Sequence, residues 1–321
     1  MRTRHAGTPA GRTAWLRAAV VLSSMTVMAA MVGADAAGAR TFATPDEAVR
    51  ALMDTVKAGD LPALVAIFGP KGQDLVDTSD PATGRRNREV FLVAMAEGWR
   101  LSDAGPDRKE LVLGNEEWPF PVPLVKSAAG WSFDAAAGRE EILDRRIGRN
   151  ELAVIGVLRA YVTAQRVYAR TGHDGKPAGL FARRLGSDPG TQNGLYWPAA
   201  RCGRLSPLGE LIAQAADEGY RRGQGGGGPS PFHGYYFHIL EGQGRSARGG
   251  AADYVVNGEM SGGFALVAWP VHYGASGIMT FVVSQDGTVY EKDLGPGTDA
   301  AARAITRYDP DDTWRPEDAS E

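Results

Sequence analysis

The sequence predicts an α+β protein in which helices come first, a sheet follows, and a long helix then introduces a second, antiparallel sheet. Three observations predict it. Apolar residues recur every three or four positions through 45–68 and again through 139–170, the period of a helix with one buried face. Short runs rich in β-branched and aromatic residues, bounded by Gly, Asn, Asp and Pro, fill 110–133 and 232–293, the pattern of strands joined by turns. The 42 glycines follow no collagen-like period and gather between those runs, where the chain must reverse.

Residues 1–39 stand apart. Arg2, Arg4, Arg12 and Arg17 precede the apolar run from Ala18 to Val32, and Ala34, Ala36, Ala37 and Ala39 follow it. That is the order of a secretory signal peptide. The run is short for a bilayer span, so the expectation is cleavage after Ala36 or Ala39, export to the periplasm or beyond the cell, and no stable membrane insertion afterwards. Removing 1–39 takes four arginines and one aspartate from 35 basic and 38 acidic residues, leaving 31 against 37. No basic stripe remains, so nucleic acid is not an expected partner. Cys202 is the only cysteine, which excludes an internal disulfide and a cysteine zinc cluster.

The first helix starts at Thr44-Pro45-Asp46-Glu47: a cap, a first-turn proline and acidic side chains at the positive end of the helix dipole. Ala58-Gly59-Asp60 ends it and caps a second helix carrying Leu61, Leu64, Val65 and Phe68. A further helix is expected around Arg88 to Trp99, then strands in "ELVLG", "WPFPVPLVKS" and "WSFDAAA". In 139–170, Ile147, Val154, Ile155, Leu158, Tyr161, Val162 and Tyr168 share a stripe and predict a long amphipathic helix, with Gly148 and Asn150 as positions where it could divide. A short helix is expected in "ELIAQAADEGY" at 210–220 and a linker in "RRGQGGGGPSP". The strands "GYYFHIL", "DYVVNG", "GFALVAWP", "IMTFVVS" and "TVYEKDL" complete an antiparallel meander, with Asp286-Gly287 as a hairpin turn. The domain boundaries read from this pattern are 42–135 and 139–308, with an acidic tail at 309–321.

The candidate binding residues are aromatic and imidazole side chains. Tyr236 and His238 alternate onto one strand face, His233 precedes them in a loop, and His272 and Tyr273 stand in a later connection. Three imidazoles could converge on a metal, but separate strand positions do not enforce it, and no metal or other cofactor is predicted. Tyr196, Trp197, Trp269 and Tyr273 would suit a sugar or peptide ligand if exposed together. No catalytic residue is assigned. "GASG" at 274–277 lacks the spacing and following helix of a nucleophile elbow. Glu291 and Asp293 share a strand face at a strand end expected to be solvated, as is the tail with Asp309, Asp311 and Asp312. "GHDGK" at 172–176 reads as a turn.

"TPDEAVRALMDTVKAGDLPALVAIFG", followed by strands ending in "GWSFD", resembles the α+β domains of the nuclear transport factor 2-like superfamily. That resemblance implies helices closing over a curved sheet, with a pocket in some members. The stretches "DLPALVAIFGPKGQDL", "WPFPVPLVK", "FHGYYFHIL" and "GGFALVAWPVHYGASGIMTFVVSQDGTVYEKDLGP" resemble an exported bacterial family of unknown function, numbered twenty-nine fifty. The pairing of "NELAVIGVLRAYVTAQRVYA" with the later strands looks like the globular head of type IV pilin-like proteins, which implies a helix packed on an antiparallel meander. Pilins extend that helix backward through an apolar segment, whereas "FDAAAGREEILDRR" is charged.

The function expected from these readings is a non-catalytic binding or assembly module in the bacterial envelope, with a protein or a cell-wall component as partner. The alternative is a small-ligand-binding protein or hydrolase that uses a pocket in the N-terminal domain.

Overall fold

The computed structural model describes residues 38–76, 81–198, 205–209 and 231–317. The expected signal peptide up to Ala37, Cys202, the helix at 210–220 and the glycine-rich linker lie outside the described residues. Helices and antiparallel sheets make an α+β fold, and the contacts divide it into two compact units. The first holds the described residues up to Trp118 together with Leu124–Ala136, and the second holds Pro119–Pro123 and the residues from Ala137 onward.

In the first unit, α1 (Pro45–Ala58) begins with a reciprocal cap. Thr44 Oγ1 accepts the Glu47 N–H at 3.2 Å, and Glu47 Oε2 accepts the Ala43 N–H at 3.2 Å. Gly59 ends it in the left-handed region at φ 67°, and Asp60 caps α2 (Leu61–Phe68) by accepting the Ala63 N–H. A one-turn α3 (Gln73–Val76) and α4 (Pro81–Glu97) follow; α4 starts seven residues before the expected position. The sheet consists of β1 (Trp99–Gly105), β2 (Arg108–Leu113), β3 (Trp118–Pro119), β4 (Leu124–Ser127) and β5 (Gly130–Phe133). Its order is β1-β2-β4-β5, with β3 also on β2, and the three pairs on that path are antiparallel. Leu52, Ile67 and Phe68 meet a core that includes Leu111, Leu124 and Phe133, and the Phe68 and Phe133 rings lie 5.4 Å apart edge to face. Each such side chain stabilises the fold by about 1.5–3 kcal/mol when fully buried.

The second unit is organised by α5 (Ala135–Ala169), 35 residues without a break and so about 50 Å long. Gly148 and Asn150 do not divide it. Asn150 Nδ2 instead donates to Ser276 O at 2.8 Å, and the neighbouring Glu151 binds the same connection, so the helix is anchored where its sequence is weakest. Its apolar stripe meets a five-stranded antiparallel sheet. Strands β6 (Tyr235–Leu240), β11 (Ala265–Pro270), β12 (Met279–Ser284), β13 (Val289–Asp293) and β14 (Arg315–Pro316) lie side by side in that order. Between β6 and β11 come two short pairs: β7 (Gly242–Gln243) with β8 (Ala252–Asp253), and β9 (Val255–Val256) with β10 (Glu259–Met260).

Every residue of β11 is buried. Its continuous apolar run is that of a strand covered on both faces rather than one. Tyr161 from α5 donates to Ala265 O at 3.2 Å on one side, and α6 (Thr298–Arg303) packs on β11 from the other. Beyond α6, Asp309, Asp311 and Asp312 are exposed as their acidic composition predicts, but the backbone is held to the sheet. Tyr308 is buried, Asp309 accepts the Ser246 N–H at 2.7 Å, and β14 pairs with β13.

Candidate binding cleft

A cleft of about 670 Å³ opens in the second unit where α5 ends. Its construction starts with Gln165, a fully buried polar side chain. Gln165 Oε1 accepts the Ala182 N–H at 2.8 Å and Gln165 Nε2 donates to Ala182 O at 2.7 Å, so one amide serves the returning chain as a neighbouring strand would. Phe181 is fixed beside it by its N–H to Met260 O at 2.8 Å and by edge-to-face contact with Phe264 at 4.8 Å. The returning segment therefore lies against the core with no strand of its own.

Two tight turns shape the walls. Asp174 and Gly175 have φ of 50° and 80°, with the Lys176 N–H donating to His173 O at 2.9 Å. Asn257 and Gly258 have φ of 53° and 82° between β9 and β10. Both place two successive residues at positive φ, which Asp-Gly and Asn-Gly tolerate best. At the helix end, the Tyr168 and His173 rings stack at 4.0 Å and 12°. His173 is buried, and its Nε2 lies 3.0 Å from Tyr168 O. That carbonyl only accepts, so Nε2 carries the hydrogen. Burial first, and then the Asp174 and Glu259 carboxylates, push the Tyr168 phenol above its usual range.

Charges of both signs line this cleft. Lys176 Nζ lies 2.8 Å from Glu259, and Arg183 donates through Nε and Nη2 to Glu241 Oε1 while Nη1 reaches Gly258 O. The two ion pairs join the 171–184 segment to Glu241 and the Gly258–Glu259 turn. All four side chains are well exposed, and such pairs contribute only about 0–1 kcal/mol. Exchanging a partner for a charged group on a ligand therefore costs little.

The residues expected from sequence to bind are distributed differently. Trp197 is buried against His173, with ring centres 5.7 Å apart, and the adjacent Tyr196 is held by its N–H to Leu185 O at 2.9 Å. This pair backs the segment that forms the cleft. Tyr236 and Trp269 face each other across β6 and β11, with ring centres 5.7 Å apart, and the Arg303 guanidinium lies 5.6 Å from each. Arg303 is held there by Asp299, which also accepts from Trp269 Nε1 at 3.0 Å. The hydrogen bonds from Arg303 and Trp269 hold the Asp299 carboxyl below its usual range.

His238 is exposed on the same face, opposite Val267. His233 sits at φ 48° beside Phe232, and the exposed His272 lies in the turn closed by Ser276. Tyr273 donates to Asp293 at 3.1 Å. Among the described residues, no group of three or more His, Cys, Asp and Glu side chains converges as metal ligands. Because Trp197 and Trp269 are both buried, the four aromatics do not make one exposed patch.

Sequence reasoning passed over Lys176, Arg183, Glu241 and Glu259. The available signals were the Asp-Gly turn in "GHDGK", the Asn-Gly turn in "VVNGEM" and the doubled arginine after Phe181. What they lacked was any sign that the two turns meet. Glu291 also departs from its expected solvated position. It is half-buried, and its carboxyl is pushed up by burial and then by Glu151 and Glu317, with Arg315 opposing.

A family described as "Protein of unknown function (DUF2950)" matches residues 39–316. The chain belongs to that family. No curated protein and no solved structure matches it. Among the described residues, no helix is long and apolar enough to cross a membrane.

Proposed function

We propose that this member of the family is an exported, non-catalytic binding module of the bacterial envelope, and that the cleft at the end of α5 holds its ligand. The cleft carries the reading: about 670 Å³ is the size of a small-ligand or peptide site. Weakly held cations and carboxylates around it suit a ligand bearing both charges, such as a peptide segment of the cell wall or of a protein. The arginine-led apolar run before residue 40 supports export. The burial of His173 and its bond to Tyr168 O support binding over proton transfer, since the imidazole is committed to its own loop.

Two fold resemblances support a module of this kind. They are the sequence resemblances of the N-terminal stretch to the nuclear transport factor 2-like superfamily and of the long helix and later strands to pilin-like heads. Fold alone does not assign a role.

The test is photo-cross-linking in the native envelope from residues placed at Asn193 and Arg184, both of which line the cleft. Mass spectrometry then identifies what is captured, with Arg183→Ala as the competing variant. Capture of one wall fragment or one protein, reduced several-fold by Arg183→Ala, supports the reading. Capture unaffected by the cleft variant, or none at all, overturns it.

A further inference from the structure

Strand β6 is the edge of the five-stranded sheet, and among the described residues the chain caps its two ends. The Val271 N–H donates to Gly234 O at 2.9 Å, and the register pairs Trp269 with Tyr236 and Val267 with His238. By the alternation of an antiparallel ladder, Gly234, Tyr236, His238 and Leu240 turn their backbone groups toward β11, while Tyr235, Phe237, Ile239 and Glu241 turn theirs outward. Tyr235 is satisfied on that outer side, where it exchanges both backbone hydrogen bonds with Phe232 at 2.9 and 3.0 Å. Glu241 O accepts the Tyr254 N–H at 2.9 Å. Between these caps, the outward N–H and C=O of Phe237 and Ile239 have no backbone partner among the described residues.

We propose that this opening receives a short extended segment of a partner polypeptide as an added strand, a surface separate from the cleft. Four backbone groups in a row, two donors and two acceptors about 7 Å apart along the strand, are complementary to an extended peptide backbone. The side chains add a preference for alternation. Half-buried Phe237 and buried Ile239 lie toward one face of the sheet, and Tyr236 and exposed His238 toward the other. The fitting segment therefore places apolar side chains on the first face and polar ones on the second. A second copy of this chain fits less well. Pairing β6 with β6 would bring the Phe232 and Tyr254 caps of both copies together, whereas a single extended segment meets only one set.

The probe is a capped five-residue peptide of alternating threonine and valine, with a fully N-methylated peptide of the same sequence as control. The readout is amide exchange by NMR on the full chain. In the free protein, the Phe237 and Ile239 amides should exchange faster than those of Tyr236 and His238. The unmethylated peptide should slow the first two at least tenfold, and the methylated one should not. Phe237→Pro removes one outward donor without touching the β11 ladder and should abolish binding; if it fails to fold, the peptide pair carries the test on the unaltered protein. Amides already protected in the free chain, equal binding of both peptides, no protection at millimolar peptide, or protection that rises with protein concentration alone would each overturn the proposal.

Discussion

A single oxygen of Glu151 accepts the backbone N–H of Met279 at 2.9 Å and, beside it, that of Ile278 at 2.8 Å. The Tyr235 hydroxyl is 3.3 Å from the same oxygen. A carboxylate on the long helix thus closes the start of β12, where Tyr235 also donates to Met279 O at 3.0 Å. Glu151→Ala should leave two part-buried N–H groups unmet and cost about 2–3 kcal/mol, read by urea unfolding of the full chain. Glu151→Gln keeps an acceptor and should recover more than half of that loss. Equal losses for the two variants would show that the carboxylate does not hold this turn.

Glu291 sets a pH dependence of the opposite kind to a paired carboxylate. Its folded-state pKa is raised, chiefly by burial and then by Glu151 and Glu317. The folded state therefore binds a proton more readily than the unfolded one, and this residue's contribution falls as pH rises from its ordinary range through the raised value. Glu291→Gln should raise the melting temperature at pH 7 and change it little at pH 4. A larger gain at pH 4 than at pH 7 would contradict that sign.

Gln165 is the single side chain that replaces a strand beneath the cleft. Gln165→Leu is close in volume but strands both backbone groups of Ala182, and it should cost about 2–4 kcal/mol. Exchange of the Ala182 amide should rise with it. Stability within about 0.5 kcal/mol of the parent would mean that the segment is held elsewhere.

Gly277 lies flat against the Tyr235 ring, and a methyl group there would run into the phenol end. Gly277→Ala should cost about 1–3 kcal/mol by overpacking. Adding Tyr235→Phe should restore part of it, because the hydroxyl is among the atoms displaced. At Gly274, with φ 72° and open space around it, alanine meets only the left-handed backbone penalty of about 1 kcal/mol. Chemical denaturation of the three variants orders them, and a larger loss at Gly274 than at Gly277 would refute the packing argument.

Local signals in the sequence were sufficient wherever neighbouring residues decide the outcome. Thr44 to Glu47 specify a cap because the partners lie three or four residues apart, and the stripe from Ile147 to Tyr168 specifies a helix face for the same reason. Asp286-Gly287 likewise specifies its turn, with Gly287 at φ 90°. The site was less legible because its parts are distant in the chain. Arg183 meets Glu241 across 58 residues, and Lys176 meets Glu259 across 83. The tail was half legible for a related reason: its acidic side chains face out as expected, while the hold of Tyr308 and Trp314 on the sheet depends on distant residues. Tyr236 and Trp269 were singled out in separate sets, and nothing in their own strands announced that they would pair or that Arg303 would cover them.

The cover over the outer face of β11 has a consequence for how the protein is made. Strand β11 can meet α5 as soon as it is synthesised, since the helix precedes it by about a hundred residues. Its other face must wait for Thr298–Arg303, and the edge of β13 waits for Arg315 and Pro316. During synthesis there is thus an interval in which a strand of six buried residues presents a bare apolar surface. A chain stopped before Thr298 would never leave that state, and holding the segment unfolded until its last elements arrive becomes a requirement on the cell rather than on the fold.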